Sequence, residues 1–402
     1  MTTFEIYVLI LGLLLAGGAL LSGIARRSIL SLAIFFLVSG LVLGDQGFGI
    51  IALAPDSPLV AGVTQLTLIV ILFTDGLEVE TQALKRSWHV PFRSLVIAMP
   101  LTAALIAGAA HLLVALPWKQ ALLIGALLSP TDPVLTSSVV TNRKIPLRIR
   151  NSLNLESGFN DGLALPAVLI FATALGGSGG RAWWQFLGQD LLTGAAVGLA
   201  GGWLAVRLLG LFRGRFALPA HYRTLYAFAV SLALFGAARL VGGNGFITVY
   251  LAGIVMAAAA PRQVPDFSRF SRDLGEILKL ATFVIFGSLI VFSQMLGEGV
   301  RGVLLAAFVI FLARTLALLP SLAGTRLDRT ERLFMAWFGP KGVACIAYSL
   351  LVLSMGVTGA AEVFQLTALV VFASIILHSA SDTPLADWFG RRSERLAGRP
   401  DA

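Results

Sequence analysis

The chain reads as an all-α polytopic membrane protein, and three observations carry that reading. Of its 402 residues, 57% are hydrophobic and 13% charged, against roughly 25% charged in soluble domains, and the mean hydropathy is +0.87. Apolar runs long enough to cross a bilayer recur from end to end, separated by short basic stretches. Glycine is abundant, at 42 residues, as close helix packing in lipid favours.

The runs predict about thirteen transmembrane helices. They fall near residues 4–24, 29–44, 59–79, 94–116, 119–141, 149–175, 186–212, 222–241, 245–260, 273–293, 299–321, 332–355 and 363–380. The first run carries Glu5 at its start and is followed by Arg26 and Arg27. A secretory signal has its positive charges first, so this run is expected to stay as a first helix. The second and ninth runs are short and need support from neighbouring helices. Connections are short, so residues 1–390 read as one transmembrane domain and 391–402 as a short basic cytoplasmic tail lying on the anionic inner leaflet. Residues 176–180, Gly-Gly-Ser-Gly-Gly, read as a flexible outside loop.

Alternate loops differ sharply in charge. One set holds Arg26 and Arg27; Lys85, Arg86 and Arg93; Arg143, Lys144, Arg148 and Arg150; and Arg213, Arg215 and Arg223. It continues with Arg262, Arg269 and Arg272; Arg326, Arg329 and Arg332; and Arg391, Arg392, Arg395 and Arg399. The other set holds Lys119, Arg181 and Arg301. The positive-inside rule places the rich set in the cytoplasm, so the expected orientation in a cell (inner) membrane is N-terminus outside and C-terminus inside. The net charge of +9 is therefore a topology signal. It is no nucleic-acid footprint, because the basic residues form no continuous face or stacking platform. Cys345 is the sole cysteine, which excludes a disulfide framework and a thiolate metal site, and it reads as a packing residue.

Polar chemistry inside these runs marks the candidate site, because an ionisable residue at membrane depth is costly and by default functional. In the fifth run, Ser129-Pro130-Thr131-Asp132-Pro133 contains two prolines that each remove a backbone donor and break the helix. The twelfth run has a comparable break at Gly339-Pro340-Lys341-Gly342. Paired breaks in two halves of a chain point to an inverted repeat with a midplane site, where freed carbonyls and half-helix ends face an ion. In the sixth run, Glu156 and Asn160 share one helical face, and Ser157 and Asp161 share the adjacent one. Both lie roughly level with Asp132, counted at about 1.5 Å per residue from the cytoplasmic end. Asp161, Asp132 and the Thr131 and Ser157 hydroxyls make an oxygen-rich cluster suited to a hard cation such as Na+. The same carboxylates, partly desolvated and close together, are expected to take up protons near neutral pH. One site that accepts either ion but not both gives obligatory exchange.

Arg314, mid-run in the eleventh span, needs a carboxylate partner, and Glu156 is the candidate. A structural pair braced by Asn160 is preferred over direct ion coordination by Glu156. Lys341 is expected to compensate helix-end carbonyls or a nearby acid. Asp75, late in the third span, is placed in an entry funnel, which Glu78 and Glu80 either share or, as preferred, flank as solvated interface charges. Arg207, Arg239 and Lys279, near span ends, are expected to snorkel. His89, His111, His221 and His378 are scattered without metal-ligand spacing.

At these residues the chain resembles the monovalent cation/proton antiporter family, and within it the NhaP-like sodium/proton antiporters related to animal sodium/hydrogen exchangers. The matching elements are Thr131-Asp132-Pro133, Glu156-Ser157 with Asn160-Asp161, Arg314, and Gly339-Pro340-Lys341-Gly342. The resemblance implies that Asp161 is the main ion- and proton-binding carboxylate, completed by Asp132, Thr131 and Ser157. It also implies that Glu156 and Arg314, with Asn160, stabilise the assembly. Asn160-Asp161 in place of two successive aspartates implies electroneutral one-for-one exchange. The family further implies two broken helices crossing in a six-helix core domain that moves like an elevator against a dimer domain, in a homodimer. It implies a transporter of a monovalent cation and protons, not an enzyme, with no resident cofactor. Two departures stand out. Many relatives have an acid followed by two glycines where this chain reads Thr74-Asp75-Gly76, and many have Arg where it has Lys341, which lacks a bidentate fork.

Sodium/proton exchange, with lithium accepted, is the leading expectation, and potassium/proton exchange is the near rival because cavity size sets selectivity. A cation channel lacks a filter-like loop here. A membrane-embedded hydrolase using Asp132 and Asp161 as acid and base would leave the paired breaks unexplained.

Overall fold

The computed structural model of the chain describes residues 3–25, 31–79, 89–132, 139, 142–176, 186–215 and 219–397. Every regular element among them is helical. The principal helices are α1 (Thr3–Ala25), α2 (Leu32–Leu43), α3 (Pro58–Glu78), α4 (His89–Val114), α5 (Trp118–Leu127), α6 (Leu147–Leu175) and α7 (Leu192–Arg215). They continue as α8 (Ala220–Leu240), α9 (Gly245–Ala259), α10 (Val264–Ser288), α11 (Gly299–Ser321), α12 (Arg329–Trp337), α13 (Val343–Ser354) and α14 (Ala360–Ala397).

Local chemistry sets the helix starts. Ser57 Oγ accepts from Val60 N at 3.3 Å and Pro58 occupies the first turn of α3, where its missing N–H is no loss. Asn244 Oδ1 accepts from Phe246 N and Ile247 N at the start of α9. Asp328 and Glu331 form a reciprocal capping box that fixes the start of α12.

Among the described residues, seven helices are long and apolar enough to cross a membrane by length and composition, and α9 with α10 makes an eighth if that bent pair is one span. Four expected spans differ in shape. The ninth and tenth were expected at 245–260 and 273–293. Instead α10 begins at Val264, straight after a 104° bend at Ala260, so Arg269 and Arg272 sit on a helix and not in a loop. The twelfth span is the pair α12 and α13. The last runs on to Ala397, so residues 391–397 of the expected tail continue α14 and pair with other elements, Arg392 with Asp328 at 3.5 Å and Glu394 with Lys144 at 3.3 Å. Pro133, Glu80, residues 177–180, and Arg26, Arg27, Lys85, Arg86, Arg181 and Arg399 lie outside the described residues.

Packing sorts the helices into two groups. One contains α2, α3 and α7 to α10; the other contains α4, α5, α6, α11, the α12/α13 pair and α14. Small residues permit the tight crossings within a group. A Cβ on Gly253 of α9 would lie 2.5 Å from Phe73 O of α3, so this crossing tolerates glycine alone. The groups meet where α3 runs against α6 and α13.

Candidate cation-binding site

The site begins at the two broken helices. After α5 ends, Leu128 to Asp132 are non-helical; after α12 ends, Phe338 to Gly342 are non-helical, and α13 then starts at Val343. The breaks touch directly, with Asp132 N donating to Pro340 O at 2.9 Å. Each break then meets the other's helix end with a charge. Asp132 Oδ2 accepts from Val343 N at 2.8 Å, at the positive end of α13. Lys341 Nζ, fully buried, donates to Pro130 O at 3.2 Å and Ser129 O at 3.4 Å, carbonyls just beyond the end of α5. Gly342 makes room for this, because a Cβ there would overlap the Asp132 carboxylate.

A buried ion pair braces the crossing. Arg314 Nη1 donates to Glu156 Oε1 at 2.6 Å, with both side chains under a tenth exposed. Arg314 Nη2 donates to Met335 O at 3.3 Å, tying α11 and α6 to the last turn of α12. A Cβ on Gly339 would overlap the guanidinium. Residues 308–313, immediately before Arg314, form a π-helical segment, a deviation that shifts where the following side chains point. His378 of α14 supports the same place. Its Nε2 lies 3.1 Å from Trp337 O, its Nδ1 lies 2.9 Å from Ser374 O, and Ser374 Oγ accepts from Lys341 N at 2.9 Å.

Between the two helix groups lies a cavity of about 120 Å³. Its charged and hydroxyl lining comes from Asp75, Glu78, Asp132, Ser157, Asp161 and Lys279. Asp161 is buried, and its backbone carbonyl accepts from Tyr348 OH at 2.9 Å, which anchors α6 against α13. Asp161 Oδ1 and Asp75 Oδ2 have no hydrogen-bond partner among the described residues. Nor has the buried Tyr250 hydroxyl, whose ring packs on Gly162. An unsatisfied buried carboxylate oxygen costs more than an ordinary lost hydrogen bond, so such a cavity favours a ligand that supplies positive charge or a proton.

The structure brings Asp161, Asp132 and Ser157 to one cavity, as their helical spacing suggests, and adds Asp75 from the opposite wall. It differs from the sequence reading at three residues, Thr131, Asn160 and Lys279. Thr131 does not line the cavity: Asn160 Nδ2 donates to its carbonyl at 2.7 Å and its hydroxyl at 2.8 Å. Asn160 therefore holds the first break through its amide, and its hydrogen bonds go to Thr131 and not to the Glu156–Arg314 pair. Glu78, two-fifths exposed as a solvated charge is expected to be, also lines the cavity and pairs with Arg272 Nε at 2.9 Å. Lys279, expected only to snorkel, lines it too. The available signal for Lys279 was its place as the last charge of α10, directly before an apolar run, weakened by its neighbour Glu276 three residues earlier.

The fold is shared with the sodium proton antiporter MjNhaP1 from Methanocaldococcus jannaschii at pH 8, with a TM-score of 0.80 and 22% identity over 99% of this chain and 100% of that one. The K(+)/H(+) antiporter NhaP of Alkalimonas amylolytica is 27% identical over 404 residues, which cover 100% of this chain and 70% of the relative. The K(+)/H(+) antiporter NhaP2 of Shewanella sp. (strain MR-4) is 26% identical over 385 residues, 94% of this chain and 66% of the relative. The Na(+)/H(+) antiporter 2 of Zygosaccharomyces rouxii is 27% identical over 307 residues, 71% of this chain and 37% of the relative. The chain thus spans 66–70% of the length of the bacterial relatives. The family pattern described as sodium/hydrogen exchanger, transmembrane, matches residues 11–388, nearly the whole chain. With its broken helices crossing beside a buried carboxylate cavity, the chain belongs to the sodium/hydrogen exchanger family of cation/proton antiporters.

Proposed function

We propose that this chain is a secondary active transporter that exchanges Na+, and also Li+, for protons, one for one and without net charge movement, by alternating access at Asp161. The observation that carries the reading is the pair of unpartnered carboxylate oxygens, Asp161 Oδ1 and Asp75 Oδ2, in one buried cavity between two helix groups. A bare charge there is unstable, and either a proton or a desolvated cation neutralises it, so the two compete for one place. Asp132 and Ser157 complete the oxygen lining. Thr131 acts through Asn160 and the shape of the break. Glu156, Asn160, Arg314 and Lys341 hold the crossing, and Asp75 faces it at the entry. The second group of helices moves against the first to change the cavity's exposure, in a homodimer set in the cell membrane with its N-terminus outside and its C-terminus in the cytoplasm.

Potassium/proton exchange is the second reading, favoured by the naming of the bacterial relatives as K(+)/H(+) antiporters. Proton flux in proteoliposomes decides between them: an acid-inside gradient is discharged in turn by Na+, Li+ and K+. Discharge by Na+ and Li+, insensitive to membrane potential and absent in Asp161→Asn, is expected. Discharge by K+ alone moves the assignment to the second reading, and no discharge by any ion across about pH 6–9, the range where carboxylate sites of this kind exchange protons, defeats both.

A further inference from the structure

Lys279 sits in α10, within the helix group opposite Asp161, and is the one basic residue lining the cavity among the described residues. Its side chain is one-fifth exposed, and Nζ contacts Glu276 Oε1 at 3.2 Å. Glu276 is itself more than half exposed, so this pair three residues apart on a helix is worth little and is easily broken. The same cavity holds further carboxylates for it. Asp75 and Asp161 each present an oxygen without a hydrogen-bond partner, and Asp132 shares the lining. The ammonium charge acts on all three carboxylates. Glu78, the remaining lining acid, is taken by Arg272.

A lysine ammonium is a compact monovalent cation on a four-carbon stem, with the same charge as the ion the cavity suits. In a partly desolvated space it compensates the same carboxylates. We infer that Lys279 is a tethered competitor for the cation site: its ammonium balances the carboxylates of the empty cavity and withdraws to Glu276 when the transported cation enters. The inference rests on the antiport reading above and adds a residue that sets apparent cation affinity. Lys279 is an affinity-setting residue on the wall facing Asp161 and binds no cation itself. If it merely snorkels to solvent, neutralising it leaves cation affinity unchanged.

The test compares wild type, Lys279→Gln and Lys279→Arg in two measurements. The first is apparent KM and maximal rate for Na+, Li+ and K+ in proteoliposomes at fixed pH. The second is the concentration of each ion giving half-maximal thermal stabilisation of the purified protein, which needs no transport. Lys279→Gln is expected to lower both concentrations about tenfold, equivalent to ~1.4 kcal/mol, with a maximal rate at or below wild type. Lys279→Arg is expected to stay near wild type. Values for Lys279→Gln within twofold of wild type, or the same change in the Arg and Gln variants, overturn the inference. If Lys279→Gln does not fold, Glu276→Gln replaces it. It removes the solvent-side partner of Lys279 and is expected to raise apparent KM, and an unchanged KM overturns the inference. Failure of wild type to exchange any ion would fall on the proposed function, and the stabilisation titration would still judge Lys279.

Discussion

Removing either member of the Glu156–Arg314 pair tests the architecture most directly. The pair bridges α6 and α11 through a single 2.6 Å contact and lies almost wholly out of solvent. Its charge centres, about 4 Å apart, attract by roughly 4 kcal/mol at an effective dielectric of 20, and desolvation of both ions offsets much of that. The net worth of the pair is therefore small, yet the loss of one partner is large, because the other is left as an uncompensated buried charge. Glu156→Ala and Arg314→Ala should each destabilise by about 3–5 kcal/mol. For a chain of this length that corresponds to a fall in Tm of roughly 4–8 °C, from the inverse scaling of the shift with size. Joint replacement by Leu at 156 and Met at 314 should cost less than either single change, since no charge remains to be solvated. The assay is thermal unfolding in detergent, followed by size exclusion, with all three variants measured beside wild type. Singles that melt within 1 °C of wild type, or a joint loss equal to the sum of the two singles, would refute the reasoning. The first outcome would mean the charges reach solvent; the second would mean they act independently.

Three further outcomes follow from the same geometry. Asp161→Asn should abolish exchange while leaving Tm at or above wild type, since the titrating group goes but the Tyr348 bond to the backbone stays; normal exchange by this variant would remove Asp161 as the carrier. Gly342→Ala should destabilise by about 1–3 kcal/mol and cut exchange, because the added methyl overlaps the Asp132 carboxylate; a variant that melts and transports like wild type would mean the crossing is looser than drawn. Asn160→Ala should cost about 1–3 kcal/mol by freeing the Thr131 carbonyl and hydroxyl. Unaltered stability would show that water replaces the amide.

What the sequence made legible was what leaves a chemical mark on the chain. Apolar runs announce an all-helical membrane fold, two Pro/Gly interruptions within them announce broken helices, and the antiporter fold came from the family resemblance of the motifs around those breaks. A buried arginine announces a carboxylate, and Glu156 was the acid whose face lay off the expected ion face. Direction around a helix was harder to read. Periodicity puts Glu156 and Asn160 on one face but does not say that the first reaches α11 and the second reaches Thr131. Lys279 read as a snorkelling residue because it lay near the start of the expected span 273–293, and the cavity beside it is formed largely by α3 and α6, which no local pattern in α10 reveals. The 104° bend at Ala260 was hidden by the charged residues after it, which resemble a loop in composition while forming the amphipathic first half of α10.

The charges at the crossing explain why Asp161, and not Asp132, is the carboxylate proposed to exchange. Broken helices expose two kinds of end, a positive one at the start of α13 and carbonyls past the end of α5. Asp132 meets the first through Val343 N and Lys341 meets the second through Ser129 and Pro130. One negative and one positive side chain thus neutralise two opposite helix ends, each supplied by the other break. This arrangement closes on itself, and protonating Asp132 would leave the α13 end uncompensated and loosen the crossing. Asp161 has no such duty. It stands one helix away, with its backbone fixed by Tyr348 and one carboxylate oxygen without a partner. Its charge state can change without dismantling the structure that holds it, which a site alternating between proton and cation requires.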